Sequence, residues 1–175
     1  VLGGSQGSLI LNQSVPKAIK EVASSSKLEV FHQAGEKTLS NAKKAYEDVP
    51  VGLYLVDYID DIAEAYKWAD LVICRAGAMT VSELLAVGLP VIFIPFSKAT
   101  DDHQTKNAKY MQEVGAAEII SEDDISNDLL TITLNDWVKD RSILKRRACL
   151  ARSKAKLNST SDIVETCLNY VSHDE

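Results

Sequence analysis

The sequence predicts an α/β fold built on a doubly wound parallel sheet. As far as residue 120, short apolar segments rich in Val, Ile and Leu alternate with segments of helical periodicity. One short segment, Leu71-Val72-Ile73-Cys74, is apolar at every position, as expected for a strand covered by helices on both faces. Sheets of this kind bind ligands beyond the carboxyl ends of their strands.

The predicted elements follow one another with turn signals between them. Val1-Leu2 is the end of a strand, and the helix after it is interrupted or restarted at Pro16. Gly88 and Gly115 each end a helix. The remaining strands are predicted at 28–31, 51–58, 71–74, 91–94 and 117–120, and the helices at 9–22, 38–48, 60–69, 80–87, 104–114, 128–139, 141–156 and 161–171.

Length and composition indicate one globular domain. The 175 residues, 46% hydrophobic and 25% charged, suffice for a core without disulfides. We expect a single domain over 1–175 with a helical tail from about 121 to 175. The net charge of −6 argues against a nucleic-acid partner and against a main contact with an anionic membrane. The opening residues lack the features of a signal peptide and are expected to be a cut through a longer protein.

The cysteines and the basic residues are both assigned structural roles. Cys74, Cys149 and Cys167 lie far apart without metal-ligand spacing, and buried free thiols are expected. One basic cluster lies in a helical pattern and is interpreted as a solvated face, with a membrane or partner contact as the alternative. Its members are Lys145, Arg146, Arg147, Arg152, Lys154 and Lys156.

The glycine-rich segment Gly3-Gly4-Ser5-Gln6-Gly7 joins the first strand to the first helix. Glycines allow a sharp turn and a close approach by phosphate, and the helix N-terminus offers unpaired N–H groups. Ser5 adds a hydroxyl donor. An ordinary tight turn explains the segment equally well, and the spacing is not that of the dinucleotide-binding pattern.

A second strand-to-helix turn, from Arg75 to Glu83, carries the stronger signal. Thr80 and Glu83 have the spacing of a capping box, and the pattern alone favours that structural role. The functional alternative is that the free N–H groups hold a diphosphate while Glu83 accepts hydrogen bonds from a ribose diol.

A polar segment, Asp101-Asp102-His103-Gln104, precedes the fifth helix, with Asn107 one turn further on. Carboxylates beside a histidine suit a metal, but a polar loop with a helix N-cap is favoured. Amides such as Gln104 and Asn107 can recognise sugar hydroxyls. His32 and His173 have no evident partner and receive no role. Two strand-to-helix turns suited to hold phosphates, in a sequence without a nucleophile motif, predict a donor-binding half rather than a complete active site.

Several motifs, in order, resemble the MurG family, the lipid-linked N-acetylglucosaminyltransferases of bacterial peptidoglycan synthesis. They cover nearly the whole chain. The matching segments are Gly3-Gly4-Ser5-Gln6-Gly7 with Leu11-Asn12-Gln13, Tyr58-Ile59-Asp60-Asp61-Ile62, Cys74-Arg75-Ala76-Gly77-Ala78, Thr80-Val81-Ser82-Glu83, Gly88-Leu89-Pro90, Pro95-Phe96 and Gln104 to Ala108.

The resemblance implies a Rossmann-like C-terminal half of a GT-B glycosyltransferase that binds UDP-N-acetylglucosamine without a metal or other cofactor. Ser5 would contact the diphosphate, Ile59 the uracil, Glu83 the ribose and Gln104 the sugar. The full set of implied donor-binding residues is Gly4, Ser5, Gln6, Gly7, Ile59, Ala78, Met79, Thr80, Val81, Ser82, Glu83, His103, Gln104 and Asn107. The family transfers the sugar with inversion to the muramyl C4 hydroxyl of lipid I, giving lipid II, as a peripheral protein on the cytoplasmic side of the inner membrane.

The sequence departs from the family pattern in two respects. His103-Gln104 stands where the family often has two glutamines, and the preceding loop is one residue longer than in some members, so the sugar contact could shift by one position. The N-terminal acceptor domain, which in the family carries the general base, is expected to lie outside this sequence. The chain alone is therefore expected to bind the sugar donor without catalysing transfer. In the family the last helix packs toward the other domain, so here it is expected to be exposed. A dimer formed by exchange of this helix between two copies is a further possibility at this point.

Two alternatives remain at this stage. A UDP-N-acetylglucosamine 2-epimerase uses a similar two-domain fold, but no clear set of catalytic acids and bases is evident. The second alternative to a glycosyltransferase is a non-catalytic module that binds a nucleotide sugar.

Overall fold

The sheet in the described part of the chain has five parallel strands and one bridging residue. In this computed structural model the described residues are 1–97, 102–125 and 128–171, without the side chain of Val171. Leu2 pairs with Gln33 on one side and with Cys74 on the other, and so joins two groups of strands. The strands are β1 (Glu29–Gln33), β2 (Gly52–Val56), β3 (Val72–Cys74), β4 (Val91–Phe93) and β5 (Ala117–Ile119).

The strand order makes the sheet doubly wound. It runs β2, β1, Leu2, β3, β4, β5, and every pairing is parallel. The chain therefore moves outward from Leu2 to β2, crosses back to β3 and continues in the opposite direction. The point of reversal lies between β1 and β3, where crevices form at the carboxyl ends of the strands. The predicted fold class is confirmed.

Helices cover both faces of this sheet. Their bounds are α1 (Leu9–Ala23), α2 (Leu39–Tyr46, after a 3-10 turn at Glu36–Thr38), α3 (Ile62–Trp68), α4 (Ala78–Val87), α5 (His103–Glu113), α6 (Leu129–Lys139), α7 (Arg141–Ser153) and α8 (Ser159–Val171). Alternate residues of the strand region from Val91 to Ile94 supply the two cores. Ile92 and Ile94 pack with α1 and α6, while Val91 and Phe93 pack with α4 and α5.

The first helix corrects one expectation from the sequence. Pro16 does not divide the helix, because α1 runs unbroken from Leu9 to Ala23 with Pro16 inside it. A proline within a helix removes one internal hydrogen bond. Burial of the apolar face that carries Leu11, Val15 and Ile19 offsets that loss, since all three side chains are in the core.

Two of the three cysteines also differ from expectation. Cys74 is buried at the end of β3, but Cys149 and Cys167 are exposed. These two lie on α7 and α8, where helical periodicity places one residue inward and its neighbours outward. The apolar residues that flank Cys149 and Cys167 in the sequence therefore did not predict correctly whether these thiols are buried.

The basic cluster is not a solvated face throughout. Arg147 is largely buried, and its guanidinium lies over the Trp137 ring, 4.3 Å from the centroid. It also donates hydrogen bonds to the carbonyls of Gly115 and Ala117 and pairs with Glu118. Arg147 thus anchors α7 to the end of α5 and to β5. The other five basic residues of the cluster are exposed.

The last helix is exposed, as expected. Ile163, Val164, Leu168 and Tyr170 on α8 are all more than half exposed to solvent. Helices α6 and α7, by contrast, contribute Leu134 and other side chains to the core. Among the described residues, no helix combines the length and apolar character needed to cross a membrane.

A buried polar chain links three elements beside the core. His32 is fully buried on β1, with Nε2 3.0 Å from Asn12 Oδ1 and Nδ1 3.0 Å from the Tyr46 hydroxyl. The Asn12 amide group donates to the carbonyls of Ala34 and Thr38, so its oxygen accepts from His32. Burial lowers the pKa of His32 and so keeps the ring neutral near pH 7; with Nε2 donating to Asn12, Nδ1 then accepts from the Tyr46 hydroxyl. His32, which received no role from the sequence, holds β1 against α1 and α2.

This environment predicts a pH dependence of stability. Burial lowers the pKa of His32 from 6.5 to about 3. The unfolded chain takes up a proton below pH 6.5 that the folded chain refuses until about pH 3, so stability falls as pH drops through that window. Between pH 7.5 and 5.5 the His32 contribution is about 1.4 kcal/mol.

Urea unfolding at the two pH values measures this contribution. The variant His32→Gln offers a donor and an acceptor but cannot titrate. Between pH 7.5 and 5.5 its free energy of unfolding should therefore fall by about 1.4 kcal/mol less than that of the wild type. If the free energy of unfolding had the same pH dependence in both proteins, the pKa of His32 would not be lowered in the folded state.

Candidate functional site

A cleft of about 410 Å³ opens at the point where the strand order reverses. The loops that follow Leu2, β2 and β3 and the last residue of β1, Gln33, contribute to its walls, so segments distant in sequence meet there. Its lining residues are Leu2, Gly4, Ser5, Gln33, Tyr58, Ile59, Ile62, Tyr66, Cys74, Arg75, Gly77, Thr80, Glu83 and Gln104.

The glycine-rich loop forms one wall. The Gly7 amide donates to the Gly4 carbonyl at 3.0 Å, which closes a tight turn in which both residues have positive φ. A side chain on Gly7 would collide with the Ala34 carbonyl and the Thr38 hydroxyl, whereas nothing lies within 4 Å of the Cβ position of Gly4. Gly7 is therefore required for packing, while Gly4 leaves space open toward the cleft.

The loop ends at a helix whose N-terminus has no side-chain cap. Ser8 occupies the N-cap position of α1, but its hydroxyl makes no capping bond. Instead it accepts a hydrogen bond from Arg75 at 2.9 Å. The first N–H groups of α1 thus remain without a side-chain partner, and they carry the positive end of the helix dipole.

Arg75 joins four segments around the cleft. Besides Ser8, its guanidinium donates to the Ile94 carbonyl at 2.9 Å, forms a 2.6 Å ion pair with Glu122 and lies 5.4 Å from the centre of the Phe96 ring. Burial opposes ionisation of Glu122, but hydrogen bonds from Ser97 and the charge of Arg75 outweigh it and lower its pKa. The sequence placed Arg75 in a motif but did not reveal this role.

The amides of α5 hold the turn that precedes α4. Gln104 Oε1 accepts from the backbone amides of Ala76 and Phe96, at 3.3 and 3.0 Å. Asn107 donates to the Ala76 carbonyl at 3.1 Å. Gln104 lines the cleft, and with its oxygen engaged, the NH₂ group is the part of its amide that can address a ligand.

The start of α4 corrects the capping-box interpretation. The helix begins at Ala78, and Gly77 occupies the N-cap position without a side-chain cap. Thr80 is thus already inside the helix and cannot cap it. Glu83 does not reach back to the helix start but accepts a hydrogen bond from the Tyr66 hydroxyl at 3.0 Å. Thr80 and Glu83, three residues apart, share the helix face that lines the cleft.

The structure brings together part of the predicted set. Gly4, Ser5, Ile59, Thr80, Glu83 and Gln104 line the cleft. The other predicted residues do not line it, and they are Gln6, Gly7, Ala78, Met79, Val81, Ser82, His103 and Asn107. Of these, Val81 is buried in the core, whereas Met79 is 74% exposed at the first turn of α4. The cleft also includes Tyr58, Ile62 and Tyr66, which the sequence did not single out as ligand contacts.

The acidic segment before α5 gives no support to a metal site. Asp102 occupies the N-cap position of α5, and His103 is the first residue of the helix. Asp101 and His173 lie outside the described residues. Within the described ranges, no group of three or more His, Cys, Asp or Glu side chains is arranged to hold a metal ion.

An apolar cavity of about 120 Å³ lies between the amino ends of β1 and β3 and shares Leu2, Ile59, Ile62 and Tyr66 with the cleft. Its walls include Val30, Phe31, Val72 and Leu134, and Glu29 is the charged residue among them. This lining lacks the convergent polar groups that fix a ligand's orientation. The cleft at the strand carboxyl ends is therefore the candidate site.

The glycine-rich turn that precedes α1, the uncapped start of α4 at Gly77 and the partly buried carboxylate of Glu83 line this cleft. This arrangement defines a Rossmann-like binding domain whose site lies at the switch point of a doubly wound sheet. The N–H groups suit an anion such as a phosphate, and the carboxylate suits a ligand that carries hydroxyl donors.

Comparison with known proteins identifies the family. Residues 1–166 match the glycosyltransferase family 28 C-terminal domain, and the chain belongs to that family. Relatives named UDP-N-acetylglucosamine--N-acetylmuramyl-(pentapeptide) pyrophosphoryl-undecaprenol N-acetylglucosamine transferase include those of Marinobacter nauticus and Pseudomonas putida. Each is 44% identical over 168 residues, which is 96% of this chain and 46% or 47% of the relative. The chain thus spans about half the length of the curated relatives it matches.

Solved structures agree with this assignment. The crystal structure of Acinetobacter baumannii MurG superposes with a TM-score of 0.87 at 37% identity, covering 94% of this chain and 48% of that one. The calicheamicin glycosyltransferase CalG4 shares the fold at 17% identity, with a TM-score of 0.64 and coverage of 97% and 43%. The predicted resemblance to MurG and the predicted C-terminal half of a GT-B glycosyltransferase are both confirmed.

The two glycines of the loop provide a test of its geometry. Gly4 and Gly7 have similar positive φ angles, so an alanine at either costs about 1–2 kcal/mol of backbone strain. Gly7→Ala adds the collision with Ala34 and Thr38, which should bring the total to roughly 2–4 kcal/mol.

Chemical denaturation of both variants isolates the collision, because the backbone strain is common to the pair. Gly7→Ala should unfold at clearly lower denaturant concentration than Gly4→Ala. Equal midpoints would contradict the close packing of the loop against the end of β1.

Proposed function

We propose that this chain is the donor-binding part of an inverting N-acetylglucosaminyltransferase and binds UDP-N-acetylglucosamine in the cleft. The observation that carries the proposal is the position of Glu83. Its carboxylate lines the same cleft as the glycine-rich loop, and Tyr66 rather than a helix N-terminus is its hydrogen-bond partner. The membership of the chain in glycosyltransferase family 28 and the names of its relatives support this choice of ligand.

In this proposal the two uncapped helix N-termini hold the diphosphate. Ser5 is exposed on the loop before α1, and Gly77 lies at the N-cap of α4, so both can present donors to phosphate oxygens. Gln6 extends the first group, and Ala78 and Met79 extend the second. Gly7 shapes the loop instead, because its amide donates to the Gly4 carbonyl. Backbone N–H groups serve this purpose without strain or movement, because the helices already fix them.

The base and the ribose are assigned to the wall formed by β2, α3 and α4. The backbone of Ile59 is the expected contact for uracil, since its side chain is buried and its position follows the end of β2. Glu83 would accept hydrogen bonds from the ribose hydroxyls, because an ionised carboxylate only accepts. Thr80, one turn before Glu83, lines the same cleft. Val81 is buried and its amide donates to the Gly77 carbonyl, and the Ser82 hydroxyl donates to the Ala78 carbonyl, so neither is assigned a direct contact.

The donor sugar is assigned to the start of α5. Gln104 is the primary contact through its NH₂ group, because backbone amides occupy its oxygen. His103 is exposed beside it. Asn107 is engaged with the Ala76 carbonyl, and we assign it support of the turn before α4 rather than a direct sugar contact.

Transfer from a UDP-sugar builds negative charge on the departing diphosphate. The helix dipoles of α1 and α4 would stabilise that charge, which lowers the barrier for the chemical step. A group outside this chain would deprotonate the acceptor hydroxyl. The acceptor we propose for the complete enzyme is the muramyl C4 hydroxyl of lipid I, with lipid II as the product, at the cytoplasmic side of the bacterial inner membrane.

Calorimetric titration with UDP-N-acetylglucosamine, beside UDP-glucose, tests this proposal. The wild type should bind the N-acetylglucosamine donor in preference to UDP-glucose, and Glu83→Ala should lower its affinity about tenfold or more, since a hydrogen bond to a charged group contributes about 1.5–3 kcal/mol. Glu64→Ala is the matched control, because Glu64 is an exposed carboxylate on α3 outside the cleft, paired with Lys67. A folded wild-type chain that binds neither nucleotide would contradict the proposal.

The role of the helix N-termini predicts that binding does not require a metal. Titration with UDP-N-acetylglucosamine in excess EDTA and in excess Mg²⁺ should give the same dissociation constant, because backbone N–H groups rather than a cation hold the diphosphate. Binding that is abolished by EDTA and restored by Mg²⁺ would overturn this part of the proposal.

A further inference from the structure

Tyr66 connects the two helices that form the ribose wall of the cleft. It lies on α3, is 4% exposed and packs among side chains of β3 and α4, including Val81 and Leu84. Its hydroxyl extends from this apolar cluster to Glu83 on α4, at 3.0 Å from Oε2. The hydroxyl is thus the polar end of a side chain that is otherwise fixed by packing.

We propose that Tyr66 is a positioning residue that orients the Glu83 carboxylate to recognise the hydroxyl groups of a ribose, an inference that rests on the proposed function. A glutamate side chain on a helix surface has several accessible rotamers, and binding must fix one of them. A hydrogen bond from a rigid, buried donor fixes one carboxylate oxygen before the ligand arrives. The remaining lone pairs of the carboxylate stay available to accept from a diol.

The surroundings of Tyr66 favour this role over simple packing. Burial raises the pKa of the Tyr66 hydroxyl far above its usual value, as do its hydrogen bond and proximity to Glu83, so the group remains a donor. If Tyr66 served packing alone, any hydrogen-bond partner would satisfy its buried hydroxyl, whether or not that partner faced the cleft. Here both partners line the cleft, together with Ile62 one turn earlier on α3.

The position of α3 explains how the base and ribose contacts are coupled. Asp61, two residues after Ile59, caps this helix: its side chain accepts a hydrogen bond from the Glu64 backbone amide at 3.0 Å. Ile59, the expected uracil contact, therefore lies in the short segment that leads into the helix that carries Tyr66. A nucleotide with a ribose would satisfy both, whereas a nucleotide without the diol would leave Glu83 unused.

The test compares UDP with its 2′,3′-dideoxy analogue by titration calorimetry of the whole chain. The wild type should prefer UDP. Tyr66→Phe, which retains the ring, should lower the affinity for UDP about tenfold and that for the dideoxy analogue less than about twofold, so the preference falls. Glu83→Gln should also reduce the preference, and adding Tyr66→Phe to it should have little further effect, since both changes act on one contact.

Tyr46→Phe is the matched control. It also removes a buried tyrosine hydroxyl, but one that bonds His32 on the opposite face of the sheet, so it should leave the ratio of the two affinities unchanged. A Tyr66→Phe protein that keeps the wild-type preference, or loses affinity equally for both nucleotides, overturns the inference. Failure of the wild type to bind UDP or UDP-N-acetylglucosamine would instead overturn the proposed function on which it rests.

Discussion

The ion pair between Arg75 and Glu122 is the interaction on which the geometry of the cleft depends. Arg75 follows β3 and Glu122 lies beyond β5, and the guanidinium also bonds the Ile94 carbonyl after β4 and the Ser8 hydroxyl at the start of α1. The pair is largely shielded from solvent, where removal of one partner would leave an uncompensated charge. One side chain therefore fixes the relative positions of three strand ends and the glycine-rich loop.

This arrangement also explains why the N-terminus of α1 lacks a side-chain cap. A serine at an N-cap usually accepts from the backbone of its own helix. Here Ser8 accepts from Arg75, so the helix N–H groups are not satisfied by it. At α4 the same result arises differently, because Gly77 has no side chain to cap with. Two distinct local causes thus leave α1, behind the glycine-rich loop, and α4, whose N-cap Gly77 lines the cleft, without a side-chain cap, at some cost in helix stability.

The sequence predicted the elements well and the contacts between them less well. Periodicity and glycine positions located the strands and helices, because those signals depend on near neighbours. The partners of His32 lie 20 and 14 residues away, at Asn12 and Tyr46, and no local pattern connects them. Arg147 was likewise interpreted as solvated because helical spacing does not reveal that Trp137 and Glu118 flank it.

The Thr80–Glu83 spacing shows the same limit within the site itself. Residues three apart satisfy a capping box at the start of a helix, but they also share one face once the helix has begun. The choice between these depends on where the helix starts, and α4 starts two residues before Thr80 because small residues allow the turn there. The position of that boundary turns Glu83 from a local cap into a cleft residue whose partner, Tyr66, comes from another helix. The binding role proposed for Glu83 therefore depends on its tertiary contacts, which the Thr80–Glu83 spacing does not distinguish from a helix cap.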